Sequence, residues 1–273
     1  MKVGIIGLGL IGGSMARAYH KAGHEVYGFD TDSVTLGWAK LSGILTDELT
    51  DAGSCELILL AVSPEAAIRW LEAHSSELGA DTLVIDLCGT KRKICEVGFA
   101  LAARYGFTFA GGHPMAGTHR SGIKNAQAEL FRSETMVIVP PRRDDIALLE
   151  RIKRAMEPAG FGRFTFTTAE EHDKIIAYTS QLAHIVSSAY VKSPRARSHS
   201  GMSAGSYRDM TRVARLNEEM WAELFLENRD CLVPEIDLLT AELARYRQAL
   251  AEENRSGLTA LLREGRLAKE RTD

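Results

Sequence analysis

The sequence has no uninterrupted apolar run of about 18 or more residues, which excludes a transmembrane helix. It has no cationic excess either. With 33 Lys and Arg against 36 Asp and Glu, the formal charge is −3, and the isoelectric point near 6.3 argues against a nucleic-acid binder. Cysteines are few: Cys55, Cys88, Cys95 and Cys231 sit at no metal-binding spacing and form no disulfide framework. No metal site is expected, and reduced thiols suit a cytoplasmic protein. No repeat of 20–50 residues is evident. A signal peptide is also missing, although Lys2 followed by the apolar run Val3 to Gly13 imitates one. Gly4, Gly7, Gly9, Gly12 and Gly13 make that run a poor apolar helix.

What is present is average globular material, 45% hydrophobic and 25% charged over 273 residues, about twice a usual domain. Residues 2–6 read as a short buried strand, followed by a glycine-rich turn and a helix over 14–22. Strands at 25–29, 56–62 and 82–86 then alternate with helices at 64–74 and 91–104. This beat implies an α/β fold with right-handed βαβ units and a mostly parallel sheet. Further strands are expected at 108–110, 136–139 and 163–167, with a helix over about 144–156. After Thr168 the texture becomes helical: one substantial helix over 169–191, then a Ser, Gly, Pro and Arg-rich loop over 192–205. Asn217 can cap a helix carrying Met220, Trp221, Leu224 and Phe225. Ile236, Leu239, Leu243, Tyr246 and Leu250 line one face of a long helix, as core in the first instance or as a subunit interface. Two domains are therefore expected, 1–167 and 168–273.

The run Gly7-Leu8-Gly9-Leu10-Ile11-Gly12 lies between a strand and a helix, the one context that gives G-x-G-x-x-G meaning. Gly7 permits the tight turn, Gly9 lets backbone approach a pyrophosphate, and Gly12 allows close helix–strand packing. The helix-start amides, including those of Leu10 and Ile11, favour the anion. Asp30 follows Gly12 by 18 residues at the end of the second strand. Its carboxylate can accept from both ribose hydroxyls and repels a 2′-phosphate, and no cation in Thr31 to Ser33 offsets that. A Rossmann-type dinucleotide-binding domain using NAD rather than NADP is the expectation, over FAD or a glycine turn of purely structural use. Val62 and Ser63 end a strand on the cofactor side. They border the nicotinamide ribose or simply start a helix at Pro64.

His113, in His113-Pro114-Met115-Ala116-Gly117-Thr118, is expected on a loop just past a strand end. A histidine beside the cofactor is the natural base for an alcohol proton lost as hydride leaves the same carbon; the competing reading is a structural histidine. The motifs GLGLIGGS, D-x-C-G-T-K (86–91), GGHPMAGT (111–118), EHD (171–173), QLAH (181–184) and YRDMTRVA (207–214) occur in an order that resembles the prephenate/arogenate dehydrogenases over nearly the whole chain. The resemblance implies a Rossmann domain followed by an all-helical domain that forms a homodimer. It also implies NAD-linked oxidative decarboxylation of prephenate to 4-hydroxyphenylpyruvate, in tyrosine biosynthesis. His113 would take the hydroxyl proton, and aromatisation of the vinylogous β-keto acid expels carbon dioxide without a metal.

The substrate is a dianion. Arg212 matches the family's carboxylate-binding arginine, Arg208 lies one turn earlier, and Asp209 is placed to orient Arg212. Thr118 is a donor on the His113 segment. His184 matches a histidine associated with prephenate and would donate to its side-chain carbonyl, or else be a core residue. His172 reads as helix-start structure, with Glu170, Glu171 and Asp173 suited to the positive dipole end. The chain departs from the family in two places. Gly89 stands where a serine often bonds the catalytic histidine, leaving Thr90 as the substitute, and Gln181 replaces a histidine. Arogenate dehydrogenase, a β-hydroxyacid dehydrogenase and an inactive NAD sensor are the competing readings. With the chain ending soon after the helical stripe, feedback by tyrosine is expected only at the active site.

Overall fold

The computed structural model describes residues 1–118 and 120–272. Eight strands form one sheet in the order β3-β2-β1-β4-β5-β6-β7-β8. They are β1 (Lys2–Ile6), β2 (Glu25–Phe29), β3 (Asp47–Glu48), β4 (Leu57–Leu60), β5 (Leu83–Asp86), β6 (Thr108–Pro114), β7 (Thr135–Val139) and β8 (Arg163–Phe166). The first six are parallel; β7 runs antiparallel to β6, and β8 parallel to β7. The strand order reverses between β1 and β4, the point at which a doubly wound sheet opens a crevice at its carboxyl edge.

The central strands are buried on both faces. Leu57 and Leu59 point to one core with Met15 and Tyr19 of α1 (Leu10–Lys21). In the same core, α5 (Ile146–Met156) contributes Ile152 and Met156. Ile58 and Leu60 point to the other, with Leu71 of α3 (Pro64–His74) and Ile94 of α4 (Arg92–Tyr105). This is the period-two alternation of a sheet covered on both sides. The remaining helix of this part, α2 (Ser33–Leu41), is capped by Asp32, whose carboxylate accepts from the amides of Val34 and Thr35.

Beyond Phe166 every regular element among the described residues is helical. Thr168 caps α6 (Ala169–Ile176) through the Glu171 amide. Residues Ala177–Leu182 widen into a π-helix, and α7 (Ala183–Tyr190) continues. The expected single helix over 169–191 is thus interrupted in pitch, which no hydrophobic period reveals. Then follow α8 (Gly205–Thr211), α9 (Glu218–Glu227), α10 (Arg229–Ala251) and α11 (Arg255–Glu270). Asn217 caps α9 at the Met220 amide, 3.0 Å. Leu232, Ala177 and Leu182 form a small core with Ile236 and Leu239 packed on it. Leu243 and Leu250 do not join it; they are 60% and 62% exposed. The stripe is therefore core only at its start, because α11, unforeseen in the sequence, covers just part of α10. Among the described residues no helix is long and apolar enough to cross a membrane.

One strand departs from expectation in a way that matters for the site. β6 does not stop at residue 110 but continues to Pro114, so His113 is a strand residue opposite Val137. Gly111 and Gly112 look like breakers, yet they allow the continuation. A Cβ on Gly112 would lie 2.5 Å from the Asp86 carbonyl, and one on Gly111 2.5 Å from Cys95 Sγ. Only bare backbone passes between β5, α4 and β7.

Candidate active site

The glycine turn is built as a pyrophosphate cradle requires. Gly7 has φ +86°, and a Cβ there would lie 2.6 Å from the Ala61 carbonyl oxygen. A Cβ on Gly12 would lie 1.8 Å from Gly7 O, whereas nothing stands within 4 Å of one on Gly9. The first and third glycines are thus closed in by protein, and the second faces open space. Gly9 caps α1 without a side-chain bond, and no acidic residue occupies the first turn. The amides of Leu10 and Ile11 have no intrahelical acceptor, so the helix start presents donors and a positive dipole to an anion. These residues fit a dinucleotide.

Asp30, at the end of β2, is fixed by two amides: Oδ2 accepts from Leu8 at 2.7 Å and Oδ1 from Asp32 at 2.9 Å. The carboxylate remains half-exposed at the mouth of the turn. Val62 and Ser63 follow β4 on the same edge, and Val62 Cγ1 crowds Gly7. The Val62 carbonyl accepts from the Cys88 thiol at 3.5 Å, and Ser63 caps α3 with no side-chain bond. Instead Glu223 of α9 reaches over and accepts from the Glu65 amide at 2.9 Å.

Next along the edge, Asp86 at the end of β5 is a fully buried hub. It pairs with Lys91 Nζ, accepts from the Cys88 amide at 3.0 Å, and accepts from the Gly112 amide at 3.2 Å. Removing two charges from water is expensive. Burial works against charge on Lys91, yet the adjacent Asp86 carboxylate prevails and raises its pKa above the ordinary lysine value. This hub ties β6 to the start of α4 immediately before His113.

His113 carries its neighbours in a chain. Its Nδ1 lies 2.9 Å from His172 Nε2, and His172 Nδ1 lies 2.7 Å from Asp173 Oδ1. Asp173 in turn accepts from the amides of Lys91 (2.8 Å) and Arg92 (3.0 Å) and from Arg92 Nε (3.2 Å). Burial, then the neighbouring His172 and Lys91, push His113 well below the ordinary imidazole value. Burial also lowers His172, against the pull of Asp173. For Asp173, burial acts upward, but the bonds from His172 and from the two amides hold it below the ordinary carboxylate value. At neutral pH the chain is therefore a carboxylate and two neutral imidazoles.

Several sequence assignments change here. His172 is not merely helix-start structure but a buried partner of His113. Thr90 does not orient His113, because its hydroxyl donates to Glu227 at 2.6 Å. Nor does Asp209 pair with Arg212: no ion pair joins them among the described residues, and both are exposed where α8 ends. Arg208 is exposed one turn earlier, and the Thr118 hydroxyl donates to the Arg120 carbonyl at 2.9 Å. His184 stacks on Trp221 with ring centroids 4.0 Å apart. Its Nδ1 faces the Ser180 carbonyl at 2.8 Å and must donate to it. Burial and then the Arg212 charge lower its pKa, with the Ser180 bond opposing. The neutral ring consequently offers Nε2 as an acceptor, and donation to a keto oxygen needs the disfavoured imidazolium. Gln181 is buried and structural, donating to the Leu224 carbonyl and accepting from Asn228.

Sequence reasoning missed Asp86, Lys91, Arg92 and the His172–Asp173 pair as parts of one network. Their motifs were visible, but Asp173 lies more than 80 positions from the Lys91 and Arg92 amides it accepts from, and His172 lies 59 from His113.

A glycine-cradled nucleotide edge beside a neutral, half-buried histidine, with a helical domain closing over it, defines an NAD-dependent oxidoreductase of two domains. Residues 15–164 match the family model described as prephenate dehydrogenase, nucleotide-binding domain, and residues 168–264 match prephenate dehydrogenase, dimerization domain. The chain belongs to the prephenate dehydrogenase family. It is 30% identical over 280 residues to a cyclohexadienyl dehydrogenase of Zymomonas mobilis, covering 98% of this chain and 94% of that one. It is 29% identical over 269 residues to the prephenate dehydrogenase of Bacillus subtilis, covering 93% and 71%. The crystal structure of prephenate dehydrogenase from Aquifex aeolicus, in complex with hydroxyphenyl propionate and NAD+, superposes with a TM-score of 0.82 at 25% identity, covering 100% of this chain and 98% of that one.

Proposed function

We propose that this enzyme carries out the NAD-dependent oxidative decarboxylation of prephenate to 4-hydroxyphenylpyruvate, the step that resembling enzymes supply to tyrosine biosynthesis. The observation that carries the reading is a neutral His113 held at the carboxyl edge of the sheet, on the same edge as the open Gly9 cradle. Bound NAD supplies the hydride acceptor. Gly7, Gly9, Gly12 and the amides of Leu10 and Ile11 hold its pyrophosphate, Asp30 its adenine-side ribose, and Val62 and Ser63 border its nicotinamide end. His113 takes the proton of the ring hydroxyl. The Lys91 and Arg92 charges are already matched by carboxylates, whereas among the described residues no ion pair engages Arg208 or Arg212, which are the cations proposed for a dianionic substrate. Arg212 grips one carboxylate, Thr118 donates from the segment after β6, and His184 meets the side-chain end. As the ring becomes aromatic, carbon dioxide leaves, and the ring oxygen regains, as the phenol, the proton that His113 took.

The dinucleotide-binding domain is 1–167 and the substrate-binding and dimerisation domain 168–273. The exposed apolar residues of α10 fit a homodimer through the helical domain, and the enzyme works in the cytoplasm, with any tyrosine inhibition acting at the active site. NADH formation with prephenate, arogenate and β-hydroxyacids tests the reading; no turnover of any of them would leave an NAD sensor. One observation favours a second reading: the acceptor nitrogen of neutral His184 suits the ammonium of arogenate better than the ketone of prephenate.

A further inference from the structure

The bond between His113 and His172 joins two rings that each have one donor and one acceptor when neutral. Only one arrangement of protons satisfies the whole chain. Asp173 Oδ1 can only accept, so His172 Nδ1 carries the proton in their 2.7 Å contact. His172 Nε2 is then a lone pair, and His113 Nδ1 must donate across 2.9 Å. His113 Nε2 is thereby left as the lone pair, free to receive a proton. The direction of the chain is set at its far end, where Asp173 is anchored by the backbone amides of Lys91 and Arg92 and by the Arg92 guanidinium. Among the described residues nothing else bonds His113 Nδ1. Gly89 offers no side chain, and a Cβ there would already stand 3.2 and 3.3 Å from the methyls of Leu224. Thr90 is engaged with Glu227.

We propose that His172, held by Asp173, is the positioning residue of this active site: it fixes the Nδ1–H tautomer of His113 and so makes Nε2 the base. The inference rests on His113 being the base, as proposed above, and assigns what keeps it competent. When the substrate O–H bond breaks and an N–H bond forms at His113 Nε2, the ring becomes a cation. Its Nδ1–H can pass to His172 Nε2, where the positive charge lies beside the Asp173 carboxylate. No proton leaves the chain, and no group outside it is needed. The helical domain thus reaches into the chemistry through α6, so the catalytic set is complete only when α6 is docked against α4.

Nitrogen-15 NMR of the imidazole nitrogens tests this without any substrate. In the parent, at a pH where His113 is neutral, Nδ1 should give a protonated signal and Nε2 an unprotonated one. His172→Phe keeps the ring shape and should leave His113 as a mixture of tautomers. It should also lower kcat by about 10²-fold, with KM and the NAD dissociation constant within about twofold. His172→Gln, whose amide oxygen can accept from Nδ1–H, should restore the single tautomer and most of the lost kcat. A parent in which His113 carries its proton on Nε2 overturns the proposal. So does a folded His172→Phe variant with unchanged tautomer and kcat. If prephenate and arogenate are not turned over at all, the tautomer measurement still decides the role of His172, and only the substrate assignment fails.

Discussion

Arg92 meets both carboxylate oxygens of Asp230 at 2.6 and 2.7 Å, so the first turn of α4 is fastened to the first turn of α10. The same guanidinium bonds Asn228 at 3.0 Å and Asp173 at 3.2 Å. One side chain of the sheet domain therefore holds three residues of the helical domain. Such planar, divided donation is particular to arginine.

Arg92→Ala should lower unfolding stability by about 1–3 kcal/mol, chiefly by leaving buried Asp173 short of donors. The pH dependence has a definite sign. Asp230 is pulled down to about 2, first by its bond to Arg92. A depressed carboxylate contributes stability above its unfolded pKa of about 4, lost as the pH falls toward 2. Asp230 is mostly exposed, so its share is small. Urea midpoints at pH 6 and pH 3 should differ less in Arg92→Ala than in the parent.

In the proposed reading cofactor choice rests on Asp30. Asp30→Ala should weaken NAD binding by about 1–3 kcal/mol and narrow the gap to NADP. Part of that loss is indirect, since Asp30 also holds the Leu8 amide inside the glycine turn. Calorimetric titration with both dinucleotides measures the two effects. Full NAD affinity in the variant would place the ribose carboxylate elsewhere.

His113→Asn should keep NAD binding and lose about 10²–10⁴-fold in kcat. Because His113 lies below the ordinary value of 6.5, the acid limb of kcat/KM for the parent should fall below pH 6.5. The base works deprotonated, so activity is retained above its pKa and lost beneath it. A limb at higher pH would point to another group.

His184→Phe preserves the stack on Trp221 and removes both nitrogens. It should lower kcat/KM for arogenate more than for prephenate above pH 7, where the parent ring is an acceptor, by about 1–3 kcal/mol in the ratio. Arg212→Ala should harm both substrates equally, because they share the carboxylate it would bind. Steady-state kinetics on the two substrates would sink the idea if His184→Phe left the ratio unchanged.

Leu243 and Leu250 stand exposed on α10. Leu243→Asp with Leu250→Asp should convert a dimer to a monomer in size-exclusion chromatography with light scattering, because charges there cannot be desolvated across an interface. A dimer of unchanged stability would move the interface off this face.

The strands and helices around the nucleotide edge were legible because each is a local matter of period and punctuation. Gly7, Gly9 and Gly12 have roles that follow from their neighbours in sequence. Elsewhere the local signal misled. The strand expected at 108–110 ends before His113, whereas β6 runs on through Gly111 and Gly112 to Pro114. His172 read as helix-start structure and Asp173 as a dipole partner of α6 because nothing local says that α4 and His113 lie against them. The donor assigned to His184 failed for a smaller reason: the Ser180 carbonyl, one turn back, takes the proton first.

The π-helix over Ala177–Leu182 lies between His172 and His184 of the helical domain. A π turn takes up about one residue more than an α turn, and each α-helical residue advances the azimuth by about 100°. The stretch therefore acts as a one-residue insertion that sets the phase of α7 against α6. Drawing the same residues into an unbroken α-helix of ordinary pitch would leave every side chain of α6 in place. It would also swing His184 by roughly a quarter turn away from Trp221. The two histidines would survive in the sequence with His184 turned off Trp221, so the local pitch of this helix, and not only its residues, sets where His184 lies.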